Sequence, residues 1–89
     1  MTQPTPIADS APVDPFLTGY DMDHLVRYLR LLDADADGAD WREAAKIVLH
    51  LDVGKDPKRT RQVWRSHLAR AKWMTTNGYR HLLRGGAAH

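Results

Sequence analysis

The chain has 89 residues, with 13 Lys and Arg, 11 Asp and Glu, five His and no Cys. A chain this short holds one small domain, and without Cys it can be neither a disulfide scaffold nor a thiolate metal site. Its apolar runs fall far below the roughly 20 residues that a membrane span needs, and its N-terminus lacks a basic stretch followed by an apolar segment. A cytoplasmic protein with no membrane partner is expected.

The net charge of +2 conceals a polarity along the chain. Residues 1–45 carry three basic and nine acidic groups, residues 46–89 ten basic and two acidic. Such asymmetry gives one surface suited to an anion and another that repels it.

Four of the five prolines fall in Met1–Pro15, which is polar and aperiodic. A disordered tail over residues 1–17 is expected there, followed by a folded domain over residues 18–85 and a flexible end at 86–89. The first periodic segment is about Asp21–Asp33, where Met22, Leu25, Tyr28, Leu29 and Leu32 share a helical face and Leu31 falls away from it. Asp21 or Asp23 favours that helix start through the macrodipole.

The second segment is about Trp41–Leu51. Asp40 and Glu43 have the spacing of a capping box, and Trp41, Ala44, Ile47, Val48 and Leu51 form the apolar stripe, with Gly54 in the stop region. The third segment is about Pro57–Thr76. Asp56 caps it, and Pro57 takes the first helical position, where its missing N–H costs nothing. Val63, Trp64, His67, Leu68, Ala71 and Met74 form its buried stripe, and Asn77-Gly78 ends it. A short fourth helix about Tyr79–Arg84 would fold Leu82 and Leu83 back onto the rest. The expected fold is all-α: a small bundle of three to four helices containing a helix-turn-helix variant with an extended turn.

Enzyme chemistry finds little support. The only Glu is Glu43, the Asp residues cluster in an acidic turn where nothing raises a pKa, and no Gly-rich phosphate loop is present. His24, His50, His67, His81 and His89 form no pair with zinc-ligand spacing, and His67 reads as a hydrogen-bonded core residue. Asp33-Ala-Asp35-Ala-Asp37-Gly38 has the opening spacing of a calcium loop. Its twelfth position is Ala44 instead of a bidentate Glu, so a solvated acidic turn is the simpler reading. No metal, cofactor or catalytic residue is expected.

The second and third segments are joined by about five residues, Asp52–Asp56, slightly longer than the usual turn of a helix-turn-helix. Lys58, Arg59, Arg61, Gln62 and Arg65 occupy the first turns of the following helix, where base-edge and phosphate contacts sit in this motif. The preceding helix argues the other way, because Asp35, Asp37, Asp40 and Glu43 crowd the end that should abut phosphate. Leu31 and Trp73 lie off the core stripes, so they would belong to a protein-contact patch unless the fourth helix covers them.

The runs Tyr28-Leu-Arg-Leu-Leu-Asp-Ala-Asp35 and Gly38-Ala-Asp-Trp-Arg-Glu43, then Ser66-His-Leu-Ala-Arg-Ala-Lys-Trp-Met74 and Gly78-Tyr-Arg-His-Leu-Leu83, resemble a proteobacterial domain-of-unknown-function family carried on integrative and conjugative elements. The resemblance covers about residues 19–86. It implies an extended-turn helix-turn-helix that forms the DNA-binding half of conjugative-transfer activators of the FseA type. A lone copy is similar to antiactivators of the QseM type, which implies binding to the activator's N-terminal domain in place of the activator's own domain, so that transfer genes stay silent. Other quorum-sensing regulators are further candidate partners, and DNA binding is expected to be weak or absent. Leu31, Trp73, Tyr79 and Leu83 are the expected partner contacts, chosen by their placement off the core. The alternative is a small DNA-binding regulator acting through Lys58, Arg59, Arg61, Gln62 and Arg65.

Overall fold

The computed structural model describes residues 7–78, with side chains to residue 76. Four helices follow one another: α1 (Gly19–Asp23), α2 (Leu25–Ala36), α3 (Trp41–Ile47) and α4 (Pro57–Trp73), the last running into a π-helical turn over Met74–Gly78. There is no strand among the described residues, and no described helix is long and apolar enough to cross a membrane. The domain is the expected small all-α bundle with a helix-turn-helix. The fourth helix expected at Tyr79–Arg84 lies outside the described residues, as do Tyr79 and Leu83.

The start of α1 is chemically determined. Thr18 Oγ1 accepts the Asp21 N–H at 3.2 Å, and the Asp21 carboxylate accepts the Thr18 N–H at 2.9 Å, a reciprocal capping box. The backbone ladder then passes through His24: its N–H donates to the Tyr20 carbonyl at 3.1 Å and its carbonyl accepts from Tyr28 at 2.9 Å. His24 itself, at φ −113° and ψ 17°, leaves helical geometry and separates the two helices. The buried positions across this junction, Asp21, His24, Tyr28 and Leu31, still follow one inward phase.

This phase differs from the expected one. Leu31 is 1 % exposed and belongs to the core, whereas Met22 and Leu29 face outward. Leu31 is therefore not a surface contact. Apolar periodicity alone misplaces the face because two of the inward positions are polar, Asp21 and His24.

α2 ends where Gly38 adopts φ +75°, with Gly38 N–H bonded to Asp35 O and Ala39 N–H to Ala34 O. This is a Schellman stop, and Gly supplies the left-handed residue without a Cβ penalty. It also places Asp33 and Asp35 inside a helix, so the three carboxylates of the calcium-like spacing do not form a loop. α3 is shorter than expected. Asp40 is its N-cap but makes no side-chain cap bond; its carboxylate meets Arg42 at 3.4 Å instead. The capping box expected of Asp40 and Glu43 does not form.

The inward face of α3 is Ala44 and Ala45, continued by Val48 and Leu49, while Ile47 is exposed. Beyond Ile47 the chain turns through His50 at φ 57°, a left-handed position that His enters more readily than β-branched residues do. Asp52 Oδ1 then accepts the Gly54 N–H at 3.1 Å. The connection thus spans residues 48–56, longer than the Asp52–Asp56 link expected from sequence.

Two apolar clusters hold the bundle together. Leu31, Ala44, Val48, Leu49, Val63 and Leu68 join α2, α3 and α4. Tyr28, Ala71 and Met74 close the other end. Burial of such side chains, at about 1.5–3 kcal/mol each, supplies most of the driving force. Trp41 and Trp64 pack with ring centroids 6.1 Å apart and fix α3 against α4.

Candidate nucleic-acid interface on α4

α4 begins as its sequence dictates. The Asp56 carboxylate accepts the Arg59 N–H at 3.1 Å, and Pro57 occupies the first turn. Its inward residues are Thr60, Val63, His67, Leu68, Arg70 and Ala71. The remaining face is cationic and divides into groups with different partners.

The first group is committed to the fold. Arg70 is 5 % exposed and binds both oxygens of Asp21, from Nε at 3.0 Å and Nη2 at 2.6 Å. Tyr28 donates to the same carboxylate at 2.8 Å. Burial alone would push the Asp21 carboxyl upward, but the hydrogen bonds from Arg70, the Thr18 backbone and Tyr28 hold it down to about 2. Burial and the bond to Asp21 push the Tyr28 phenol upward. A buried pair of this kind is stable only when its lone pairs and protons are satisfied, and the remaining Arg70 donors are. Nη1 reaches the Asp14 carbonyl at 2.7 Å and Nη2 the Phe16 carbonyl at 2.9 Å. The Arg70 guanidinium also lies over the Trp73 ring, 3.9 Å from its centroid.

These bonds moor the segment before α1. Ala11 is buried at 5 % exposure and its N–H donates to Ser66 Oγ at 3.1 Å. Asp9 pairs with Arg59. The described part of this segment, residues 7–17, lies as a strap against α4. Its Pro-rich composition hides this because much of the mooring uses backbone groups, which composition does not register.

His67 belongs to the same interior. Its Nδ1–H donates to the Val63 carbonyl at 2.8 Å, which leaves Nε2 to accept from the Tyr20 hydroxyl at 2.6 Å. Burial pushes its pKa down and keeps the imidazole neutral. Here the sequence expectation of a hydrogen-bonded core histidine agrees with the structure.

The second group faces solvent. Lys58, Arg61, Gln62 and Arg65, with Ser66 and Ala69, line one shallow concave surface along α4. All four long side chains are exposed, and none of the three cations has a carboxylate at ion-pair distance among the described residues. Arg59 is diverted from this surface by Asp9, which holds its guanidinium pKa further up. Of the five residues expected to meet nucleic acid, four are brought together and one is engaged by the strap.

The acidic residues are distributed unevenly around this surface. Asp35 meets Lys72 at 3.4 Å, so the end of α2 lies against the far end of α4. Fourteen residues of helix separate Lys72 from Lys58, about 21 Å at 1.5 Å per residue, well beyond the screening length of about 8 Å at physiological salt. Asp40 and Glu43 are exposed at the start of α3, close to the Trp41–Trp64 contact. Trp73 is half-buried beneath Arg70 and beside the strap. Arg70 thus supplies part of its cover.

The signal for the Asp21–Arg70 pair was present in the sequence. Arg70 sits on the buried stripe of α4, three residues after His67, and a charge on an apolar face demands an internal partner. Thr18-x-x-Asp21 is the matching capping pattern.

The chain belongs to the RovC_DNA-bd family, described as a T6SS transcription factor, DNA-binding domain, whose model matches residues 5–84. No curated protein matches the chain significantly.

Proposed function

We propose that this member of a transcription-factor DNA-binding family regulates transcription by presenting the outward face of α4 to DNA. One observation carries the reading. Lys58, Arg61, Gln62 and Arg65 share a single exposed surface without carboxylate partners among the described residues, whereas Arg59, Arg70 and Lys72 on the same helix each pair with an Asp. Unpaired cations at the start of the second helix of this motif are suited to the major groove. Arg is matched to guanine O6 and N7, Gln to adenine N6 and N7, and Lys58 to phosphate.

The test is fluorescence anisotropy of labelled promoter DNA at two salt concentrations. Sequence-preferring binding that Arg61→Ala with Arg65→Ala removes supports the reading. Binding that ignores sequence, or that the double variant leaves intact, overturns it.

A second reading is favoured by a different observation. Asp40 and Glu43 stand exposed at the start of α3, the end that abuts the phosphate backbone in helix-turn-helix complexes, and carboxylates there oppose DNA. In this reading the chain is an antiactivator. It captures the N-terminal domain of an FseA-type conjugative-transfer activator by mimicking the activator's own helix-turn-helix, with Trp73, Tyr79 and Leu83 as partner contacts. The two readings part on one variant: Arg61→Ala with Arg65→Ala abolishes regulation in the first and leaves partner capture intact in the second.

A further inference from the structure

The outward side of α1 and α2 carries an apolar stripe that the core does not use. Met22, Val26 and Leu29, spaced i, i+4 and i+7, are 46 %, 62 % and 55 % exposed. Across the non-helical junction at His24 the buried positions Asp21, Tyr28 and Leu31 keep helical spacing, and the three exposed residues lie on the side away from them. Isolated exposed apolar residues need no explanation, but a row of three at helical spacing is a contact surface.

The charges flanking the stripe are arranged for pairing with a copy of itself. Asp23 stands at one end and Arg30, two helical turns later, at the other. Both are exposed, and neither has an ion-pair partner among the described residues. An acid at one end of an apolar row and a base at the other are complementary to the same element run antiparallel.

We propose that this face is a two-fold interface between two copies of the chain. The α1–α2 elements pack antiparallel, with Val26 near the axis. Asp23 of each copy then faces the partner's Arg30, and Met22 faces the partner's Leu29. Each contact occurs twice, as a closed isologous interface requires. The interface leaves the Lys58–Arg65 surface uncovered, so the proposal stands whether or not α4 binds DNA. One helix face per copy buries less than the roughly 800 Å² per partner of a stable complex, so the dimer dissociates in the micromolar range or above.

The test is sedimentation equilibrium of the full chain over a concentration series from about 10 to about 500 µM, since assembly is governed by mass action. The expected mass rises from one chain toward two. Val26→Glu keeps it at one chain with an unchanged helical circular dichroism spectrum, because residue 26 is outside the core. Asp23→Arg weakens association at least tenfold, and adding Arg30→Asp restores it. A mass of one chain across the whole range overturns the proposal, as does a dimer that Val26→Glu leaves intact. Failure of the double charge exchange to restore association overturns the antiparallel register.

Discussion

Arg65 and Arg70 stand five residues apart on one helix and have opposite fates. Arg70 is buried, binds Asp21 through two nitrogens and holds two further carbonyls. Arg65 is exposed beside Lys58, Arg61 and Gln62 with no carboxylate at ion-pair distance among the described residues. The basic charge of the second half of the chain is therefore not one quantity. Part of it neutralises a buried acid and shapes the interior, and the remainder is left to act on something outside.

Removing the interior arginine should have the largest effect. Arg70→Met strands the Asp21 carboxylate and should cost about 3–5 kcal/mol, enough to unfold much of a domain this small. Urea denaturation measures it. A loss below 1 kcal/mol would mean that Arg70 is no more committed than Arg65. Adding Asp21→Leu to Arg70→Met should recover much of the loss, because replacing both charges by apolar groups removes the unpaired ion.

Acid titrates the same interior more gently. The folded pKa of His67 lies below its ordinary value, so the unfolded chain binds the proton first, and stability falls as pH drops below about 6.5. Asp21 has a folded pKa of about 2 against an ordinary 3.8. Its contribution is complete above pH 4 and is lost as pH falls toward 2. Thermal melts from pH 8 to pH 2 should show both declines, and His67→Gln should remove the first. A flat profile between pH 7 and 5 would show that His67 is not held neutral.

On the outer surface the expectation reverses. Arg65→Ala should change stability by no more than about 0.5 kcal/mol, while weakening binding to promoter DNA by about 1–3 kcal/mol if it contacts a base. The smallest effect is expected at the edge of the strap. Asp9→Ala frees Arg59 beside Lys58. One added phosphate contact would steepen the dependence of log K on log salt by about 0.9. An unchanged slope would place Arg59 out of reach of the backbone.

The sequence was most legible where local chemistry decides. The Asp56–Pro57 start of α4, its inward residues Val63, Leu68 and Ala71, and the cationic surface of Lys58, Arg61, Gln62 and Arg65 could all be read from spacing. α1 and α2 could not be phased, because Asp21 and His24 are buried by partners distant in sequence. Reading only apolar side chains turned the face toward Met22 and Leu29 and moved Leu31 to the outside. α3 misled for a related reason. The Asp40 carboxylate had two possible donors, and the Arg42 side chain won over the backbone. The strap was hard to read because Arg70 and Ser66 hold it largely through main-chain atoms.

Arg70 grips the strap by the carbonyls of Asp14 and Phe16, and every amino acid supplies a carbonyl. The side chains at those two positions are therefore spared by the mooring itself. Residues of the strap that border the α4 surface, Asp9 first among them, can be exchanged one at a time while the domain stays folded. Ligand preference can thus drift through a segment that Arg70 holds without regard to the side chains at 14 and 16.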